Sequence, residues 1–441
     1  MTSFKNMLAS GLMLATSFGV SAQGLQLSEN EKAMVAWVDA HQDEAIALLE
    51  KTVNIGSGTM NHAGVRAVGD VMAGELDALG LETRWIDMPE EMNRAGHLFA
   101  TKKGQGKRFL LIGHLDTVFE ADDDFQAFTR DGNIATGPGI ADMKDGNAVI
   151  VYALKALQHI GALDGIPITV AYTGDEEKSG RPLSISRRDL IEAGKWADIA
   201  LGFEGAITSE GSDWATIARR SSSSWMLEVK GKQAHSSSIF SESTGAGAIN
   251  EASRILSEFY TNVRGDYGLT FNAGTIQGGT AVNYDPSQNR GTTFGKTNVV
   301  PNTAVVHGGI RALSVEQLAR AKAKMQAIVA NHLPQTSASI SFADSYPPMA
   351  PSAGNRSLAD ELSEVNQALG RGAMKTWDPL RRGAADISFV APYTDALAGM
   401  GALGKGGHTP TESLELDSMA LAIKRAAIFI YRLSGKAAQE Q

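Results

Sequence analysis

Residues 109–118 read Phe-Leu-Leu-Ile-Gly-His-Leu-Asp-Thr-Val. Four apolar residues in succession, Phe109 to Ile112, show no alternation with polar positions. A strand buried on both faces has this pattern, whereas a strand with one solvated face alternates. Residues 166–172 and 199–203 repeat it. Helical periodicity separates these runs, over residues 65–79, ending at Gly80, and over residues 147–160. Strands alternating with helices predict an α/β fold, with a mostly parallel sheet covered by helices on both faces. Residues 29–53 predict one more helix, with Met34, Val35, Val38, Ile46, Leu48 and Leu49 apolar among charges, and residues 418–433 predict the last.

The middle of the chain changes character. After the serine run 221–224 come a strand (225–229), a helix (246–263) and a strand (269–276), then a strand (304–310), a helix (315–332) and a strand (338–342). The order βαββαβ is the split pattern of a ferredoxin-like domain. Pro347, Pro348 and Pro351 mark the linker that follows. The expected organisation is a larger discontinuous domain, 23–219 with 346–441, and a smaller inserted domain, 220–345.

Residues 1–22 have the signature of a signal peptide: Lys5, an uncharged apolar stretch over 7–20, then Val20-Ser21-Ala22 before Gln23. The stretch is shorter than the roughly 20 apolar residues needed to span a bilayer. Export with cleavage is expected, to the periplasm or the medium, with no membrane association afterwards. The chain has 441 residues, enough to bury more than one core. Its net charge is −9 and it has no basic run, which argues against a nucleic-acid partner. Cysteine is absent, so a metal site must use His, Asp and Glu, and no thiol nucleophile exists.

Ionisable residues gather where the buried strands end, the place where open α/β sheets bind ligands. His114 and Asp116 follow the first strand, two residues apart, and Asp142 sits in the glycine-rich loop Gly137-Pro138-Gly139-Ile140-Ala141-Asp142 before a helix. Asp175, Glu176 and Glu177 end the second strand, and their mutual repulsion costs stability unless a cation compensates. Glu204 ends the third, and His408 stands in the turn Gly406-Gly407-His408-Thr409 before the final helix. Taken singly, each segment fits a solvated turn as well as a site.

Together, GHLDTV, GPGIADMKDG, TGDEEKSG, FEGA, GKQAHSS, NVVP and GGHTPTES stand in one order along the chain. In that order they resemble the dizinc aminoacylase and glutamate carboxypeptidase family, most of all its carboxypeptidase G branch. The resemblance implies two Zn²⁺ per subunit, with Co²⁺ or Mn²⁺ as substitutes. It implies that His114, Asp142 and Glu204 hold one ion, and that Asp142, Glu177 and His408 hold the other. Asp116 would orient His114, and Glu176 would be the general base and acid for an attacking water. A cis peptide is implied between Asp142 and Met143. His235 would reach into the site of a partner subunit, making a homodimer through the inserted lid, and Asn298 and Arg311 would hold substrate from that lid.

Three departures fall on the substrate side, one of them a segment between Gly279 and Asn298 that is longer than expected. The family usually has Asp two residues before the arginine, where this chain has Gly309, and its Gly-Gly-Thr-Asp loop is Gly383-Ala384-Ala385-Asp386 here. The expected activity is release of a C-terminal amino acid, glutamate foremost, from a small peptide or N-acyl amino acid. Deacylation of N-acyl amino acids uses the same chemistry, and a non-catalytic exported binding protein would retain the fold without needing Glu176.

Overall fold

The computed structural model describes residues 26–286 and 288–437. The expected signal peptide lies outside the described residues. The larger sheet has six strands, in the order Glu82–Ile86, His97–Lys102, Ile168–Thr173, Phe109–His114, Ile199–Gly202 and Asp395–Ala398. The last four are mutually parallel, while His97–Lys102 pairs antiparallel with both of its neighbours. The strand Phe109–His114 is buried along its whole length. Phe109 and Leu111 enter one core and Leu110 and Ile112 enter another, so the two faces of the strand serve separate helix layers. On the first face lie the helices Asp145–His159 and Leu416–Leu433, and on the second Arg188–Trp196 and Ile387–Val390.

Residues 29–53 form two helices, Glu29–Ala40 and Gln42–Val53, where one was expected. The break falls at His41, whose φ is −116° and ψ 17°. Its ring stacks on Trp37 at 4.1 Å, and its Nδ1 lies 2.7 Å from the Trp37 carbonyl oxygen. Apolar periodicity continues across the break because both helices bury one face against the same core. Glu82–Ile86 and Asp395–Ala398 lie at the two edges of the sheet, one half-exposed and the other four residues long. Neither has the continuous apolar run that marks a central strand.

The second sheet has four antiparallel strands in the order Thr270–Gly279, Thr303–Arg311, Ser223–Gly231 and Thr336–Asp344. With the helices Ala248–Asn262 and Val315–Ala330, its chain order is βαββαβ. Trp225, Leu227, Val229, Phe259 and Met325 fill a core of its own. The stretch after Gly279 folds as an additional hairpin, Ala281–Asp285 with Arg290–Phe294. The chain crosses between the two sheets side by side: Arg219 and Met349 exchange backbone hydrogen bonds of 3.0 and 2.9 Å.

Candidate metal centre

Four of the candidates, His114, Asp142, Glu177 and His408, meet near the C-terminal ends of the parallel strands. His114 is the last residue of its strand, and Asn147 Nδ2 donates to its carbonyl oxygen at 2.6 Å. This depends on helix Asp145–His159 lying close: a Cβ on Gly146 would stand 1.9 Å from the Phe203 carbonyl oxygen. Asp142 lies in a non-helical turn just before that helix, and its peptide bond to Met143 is cis. His408 adopts a left-handed φ of 64° between the second core helix and the sheet edge, a conformation uncommon outside glycine.

Asp142 uses both oxygens. Oδ1 is 3.2 Å from His114 Nε2, and Oδ2 is 3.1 Å from His408 Nε2. The same His408 nitrogen lies 3.2 Å from Glu177 Oε2. His114, Asp142 and Glu177 each offer a ligand atom, and these atoms lie within 4.8 Å of one another. The other Glu177 oxygen, Oε1, is buried and has no hydrogen-bond partner among the described residues. A buried carboxylate oxygen left this way costs about 1–3 kcal/mol, which a bound cation would offset. Imidazole nitrogens and carboxylate oxygens without thiolate suit zinc, cobalt or manganese, so the donor set fits the metal that the sequence implies.

The charges confirm that anions are concentrated here. Hydrogen bonds from its Nε2 to the Asp142 and Glu177 carboxylates raise His408 to about 10. His114 is also raised despite its burial, by Asp116 and Asp142. Against burial, the two imidazoles hold the Asp142 carboxyl below its usual range. Burial pushes Glu176 well above the usual carboxylate range, and Asp386, Glu204 and Glu177 add to the effect while His114 opposes it.

The model of peptidase family M20/M25/M40 matches residues 110–432, which include the whole cluster. The chain belongs to that family. Membership places it among peptidases, hydrolases of amide bonds. Carboxypeptidase G2 of Pseudomonas sp. (strain RS-16) is 35% identical over 247 residues, covering 55% of this chain and 57% of the relative. The chain thus matches little more than half the length of that carboxypeptidase. Succinyl-diaminopimelate desuccinylase of Gluconobacter oxydans (strain 621H) is 26% identical over 85% of this chain and 94% of its own. An M20 metallo-carboxypeptidase of Sulfolobus solfataricus superposes with a TM-score of 0.63 at 16% identity, covering 89% of this chain and 99% of its own. Likewise, a dinuclear metal-binding M20 peptidase of Bacillus subtilis gives 0.60 at 17% identity, covering 90% and 99%. At such identities these two likenesses speak for the fold alone.

Other residues of this M20 chain stand beside the cluster. Glu204 lines one small cavity with His114, but its Oε2 is ion-paired to Arg219 Nη2 at 2.5 Å and it lies outside the group of three ligand atoms. The Glu176 carboxylate has no hydrogen bond or ion pair among the described residues, and His114, Asp386, Glu204 and Glu177 are its charged neighbours. Asp116 touches His114 Nδ1 through its backbone oxygen at 3.0 Å and through Oδ1 at 3.5 Å. Its carboxylate mainly accepts from the Glu176 and Glu177 amides, at 3.0 and 3.1 Å, and from Thr59 Oγ1 at 2.7 Å. Asp116 therefore fixes the turn that carries both glutamates.

Sequence reasoning missed two supports. Glu412 is buried and accepts from the amides of Gly139, Ala141 and Asp142 at 3.1, 2.7 and 2.9 Å, clamping the turn under Asp142. It lies inside the quoted GGHTPTES motif, so its place was visible although its task was not. Arg187 is fully buried between Asp175 (2.5 Å) and Asp386 (2.8 Å), and its Nη2 donates to the Tyr346 hydroxyl at 3.1 Å. Tyr346 in turn donates to the Glu176 carbonyl oxygen at 2.8 Å. Nothing in the spacing of Arg187 signals this.

The second-sheet candidates stay apart from the cluster: among the described residues none hydrogen-bonds or ion-pairs with it. His235 and Asn298 are exposed and adjacent, with the Ser236 amide donating to the Asn298 carbonyl oxygen at 2.9 Å. His235 Nδ1 lies 2.8 Å from Ser237 Oγ. Arg311 ends its strand half-buried, next to the charge of Arg220. Gly383 contributes its carbonyl oxygen to Arg219 Nη1 at 3.2 Å.

Proposed function

We propose that this M20 chain is a metal-dependent exopeptidase or amidohydrolase that releases a C-terminal amino acid, glutamate foremost, from small peptides or N-acyl amino acids. The observation that carries this reading is Asp142 standing between His114 and His408, with an unpartnered Glu177 oxygen beside them. His114, Asp142 and Glu204 would hold one Zn²⁺, and Asp142, Glu177 and His408 a second. Zinc there supplies Lewis-acid polarisation of the scissile carbonyl and of the attacking water.

The chain's own residues do the rest. Glu176 accepts a proton from the water as its oxygen bonds to the amide carbon. It then gives that proton to the nitrogen as the C–N bond breaks, leaving a carboxylic acid and an amine. Its carboxylate is free for this task because Asp116 and Tyr346 hold its backbone, and its oxygens make no hydrogen bond among the described residues. Arg311 would pair with the carboxylate of the released residue. His235 and Asn298 would act in the site of a second copy, which explains their exposure, away from the cluster of their own chain. An exported homodimer is the form in which we expect the enzyme to work.

Deacylation of N-acyl amino acids is a second reading, supported by the desuccinylase relative, which matches over 94% of its length. A panel of N-acyl amino acids and dipeptides, assayed with and without chelator, tests both. Turnover of N-acyl glutamates and of dipeptides with C-terminal glutamate, abolished by chelator and restored by zinc, is the expected result. Faster turnover of acyl groups regardless of the released residue would favour deacylation. Turnover that survives complete metal removal would defeat both readings.

A further inference from the structure

Residues 378–386 form a loop beside the cluster that is braced along its length. Tyr267 donates to Asp378 Oδ1 at 2.9 Å and Arg220 Nη2 to the Leu380 carbonyl oxygen at 3.0 Å. Arg219 Nη1 reaches the carbonyl oxygens of Gly383 and Ala384 at 3.2 and 3.4 Å, and Asp386 is tied to buried Arg187. Within this frame stands Arg382. Its Nη2 donates to the carbonyl oxygen of Gly205, the residue after Glu204, at 3.0 Å. Its Nε is buried and has no hydrogen-bond partner. Among the described residues no carboxylate lies within ion-pair distance of this guanidinium, although Glu204 and Asp142 are near enough to be felt.

The nearest acid is already engaged, because Glu204 is paired with Arg219. Burial, together with the charge of Arg219, pushes Arg382 down to about 10. Holding a cation this way, half-buried and beside a second cation, is unfavourable unless an anion completes it. The loop is too well braced for Arg382 to leave for solvent cheaply. Buried Arg187, which pairs with Asp386 of this loop, shows the contrasting arrangement: it has two carboxylates of its own and needs no visitor.

We propose that Arg382 is a specificity-determining residue that binds a second carboxylate of the substrate, the side-chain carboxylate of a released glutamate or aspartate. The inference rests on the amidohydrolase reading above and deepens it. Arg311 would take the main-chain carboxylate and Arg382 the side-chain one, so that two guanidiniums select a substrate with two anions. Planar forks suit this task, because each can grip a carboxylate with two parallel hydrogen bonds.

The test compares zinc-loaded wild type, Arg382→Gln and Arg382→Lys on benzoyl-glutamate and its neutral isostere benzoyl-glutamine. Metal content and glutarate binding by calorimetry are measured on the same preparations. For Arg382→Gln we expect kcat/KM on benzoyl-glutamate to fall about 10–100-fold, mostly through KM, the worth of one charge-assisted hydrogen-bonded pair. Benzoyl-glutamine should change by less than about twofold, and Arg382→Lys should recover part of the loss. Glutarate binding should weaken in parallel while metal content stays constant. Equal losses on both substrates, no loss, or a loss of metal would each overturn the proposal, because they assign Arg382 a structural duty. If wild type hydrolyses neither substrate, the amidohydrolase reading fails. Glutarate binding then decides Arg382 separately, and affinity unchanged in Arg382→Gln overturns it.

Discussion

The two sheets treat their charges in opposite ways. Around the parallel sheet, charged side chains are buried and matched: Arg187 lies between Asp175 and Asp386, Glu412 accepts three backbone amides, and Asp116 accepts two more. On the antiparallel sheet His235 and Asn298 face solvent, and Arg311 stands beside another arginine. Burying charge is tolerable only when partners are fixed in place, so the first region is built in advance of any ligand. In the second region Glu251 is buried against Arg254, but His235, Asn298 and Arg311 make no ion pair among the described residues. We read the first region as a framework supplied within a single chain, in which Glu177 Oε1 and Arg382 Nε are left without a partner among the described residues, and we propose that the second is completed by something that arrives.

The sharpest way to break this contrast is to remove function from the prebuilt half without disturbing its structure. Glu176→Gln keeps the shape, the backbone hydrogen bond to Asp116 and the one from Tyr346, while removing the proton acceptor. We expect kcat to fall about 10²–10⁴-fold with metal content unchanged. His408→Ala should instead lose metal, and activity as a consequence, because His408 touches Asp142 and Glu177 together. Elemental analysis beside turnover separates the two. A Glu176→Gln enzyme working at the wild-type rate would refute the general-base assignment even with each metal ligand in place.

The same region should be intolerant of a missing partner. Arg187→Met leaves Asp175 and Asp386 buried and facing each other without a cation. Removing one member of such a group costs about 3–5 kcal/mol, and we expect that loss in urea denaturation. A loss below about 1 kcal/mol would mean that water reaches the network, and the description of a sealed, matched interior would fail.

These supports mark the limit of what the sequence disclosed. The central strands were legible because Phe109 to Ile112 is apolar on both faces, and the cluster because motifs of His and carboxylates end such strands. The four strands and two helices of the second sheet follow the expected order, since period-2 and period-3.6 patterns alternate there. The His41 break was hidden because both helices face one core. Arg187 and Arg382 were hidden for a different reason. Each draws its meaning from residues far away in the chain, Asp386 for one and Gly205 for the other. No local pattern encodes a partner at that distance.

The open half invites a test of whether a second copy completes it. His235→Ala should lower kcat about 10²-fold if this residue contacts the developing oxyanion of a partner's site. Mixing His235→Ala with Glu176→Gln, after dissociation and reassociation, then pairs a working Glu176 with a working His235 in one of the two sites of each mixed dimer. Random pairing predicts recovery to about one quarter of wild-type activity. Activity of the mixture equal to the mean of the separate variants would show that each chain serves only itself.

The smallest effect concerns Arg311, which stands beside Arg220. Gly309 and Arg311 are two residues apart on one strand and share a face. A Cβ at Gly309 would find its nearest atom, the Ser223 carbonyl oxygen, 3.8 Å away, so a side chain fits without rearrangement. Arg220 is lowered by burial and then by Arg311, a sign that the two guanidiniums repel. Gly309→Asp would put a carboxylate between them. Replacing glycine within a strand removes an entropic penalty of roughly 0.5–1 kcal/mol, and a half-exposed ion pair contributes about 0–1 kcal/mol more. We therefore expect stability to rise by about 1 kcal/mol in urea denaturation. The carboxylate should also hold the Arg311 fork in one orientation, so KM for N-acyl glutamate should fall by about two- to threefold. A stabilised variant whose KM rises would mean that the new carboxylate competes with the substrate for Arg311. A stabilised variant whose KM does not move would mean that Arg311 never meets the substrate, and the lid would lose its proposed anion site.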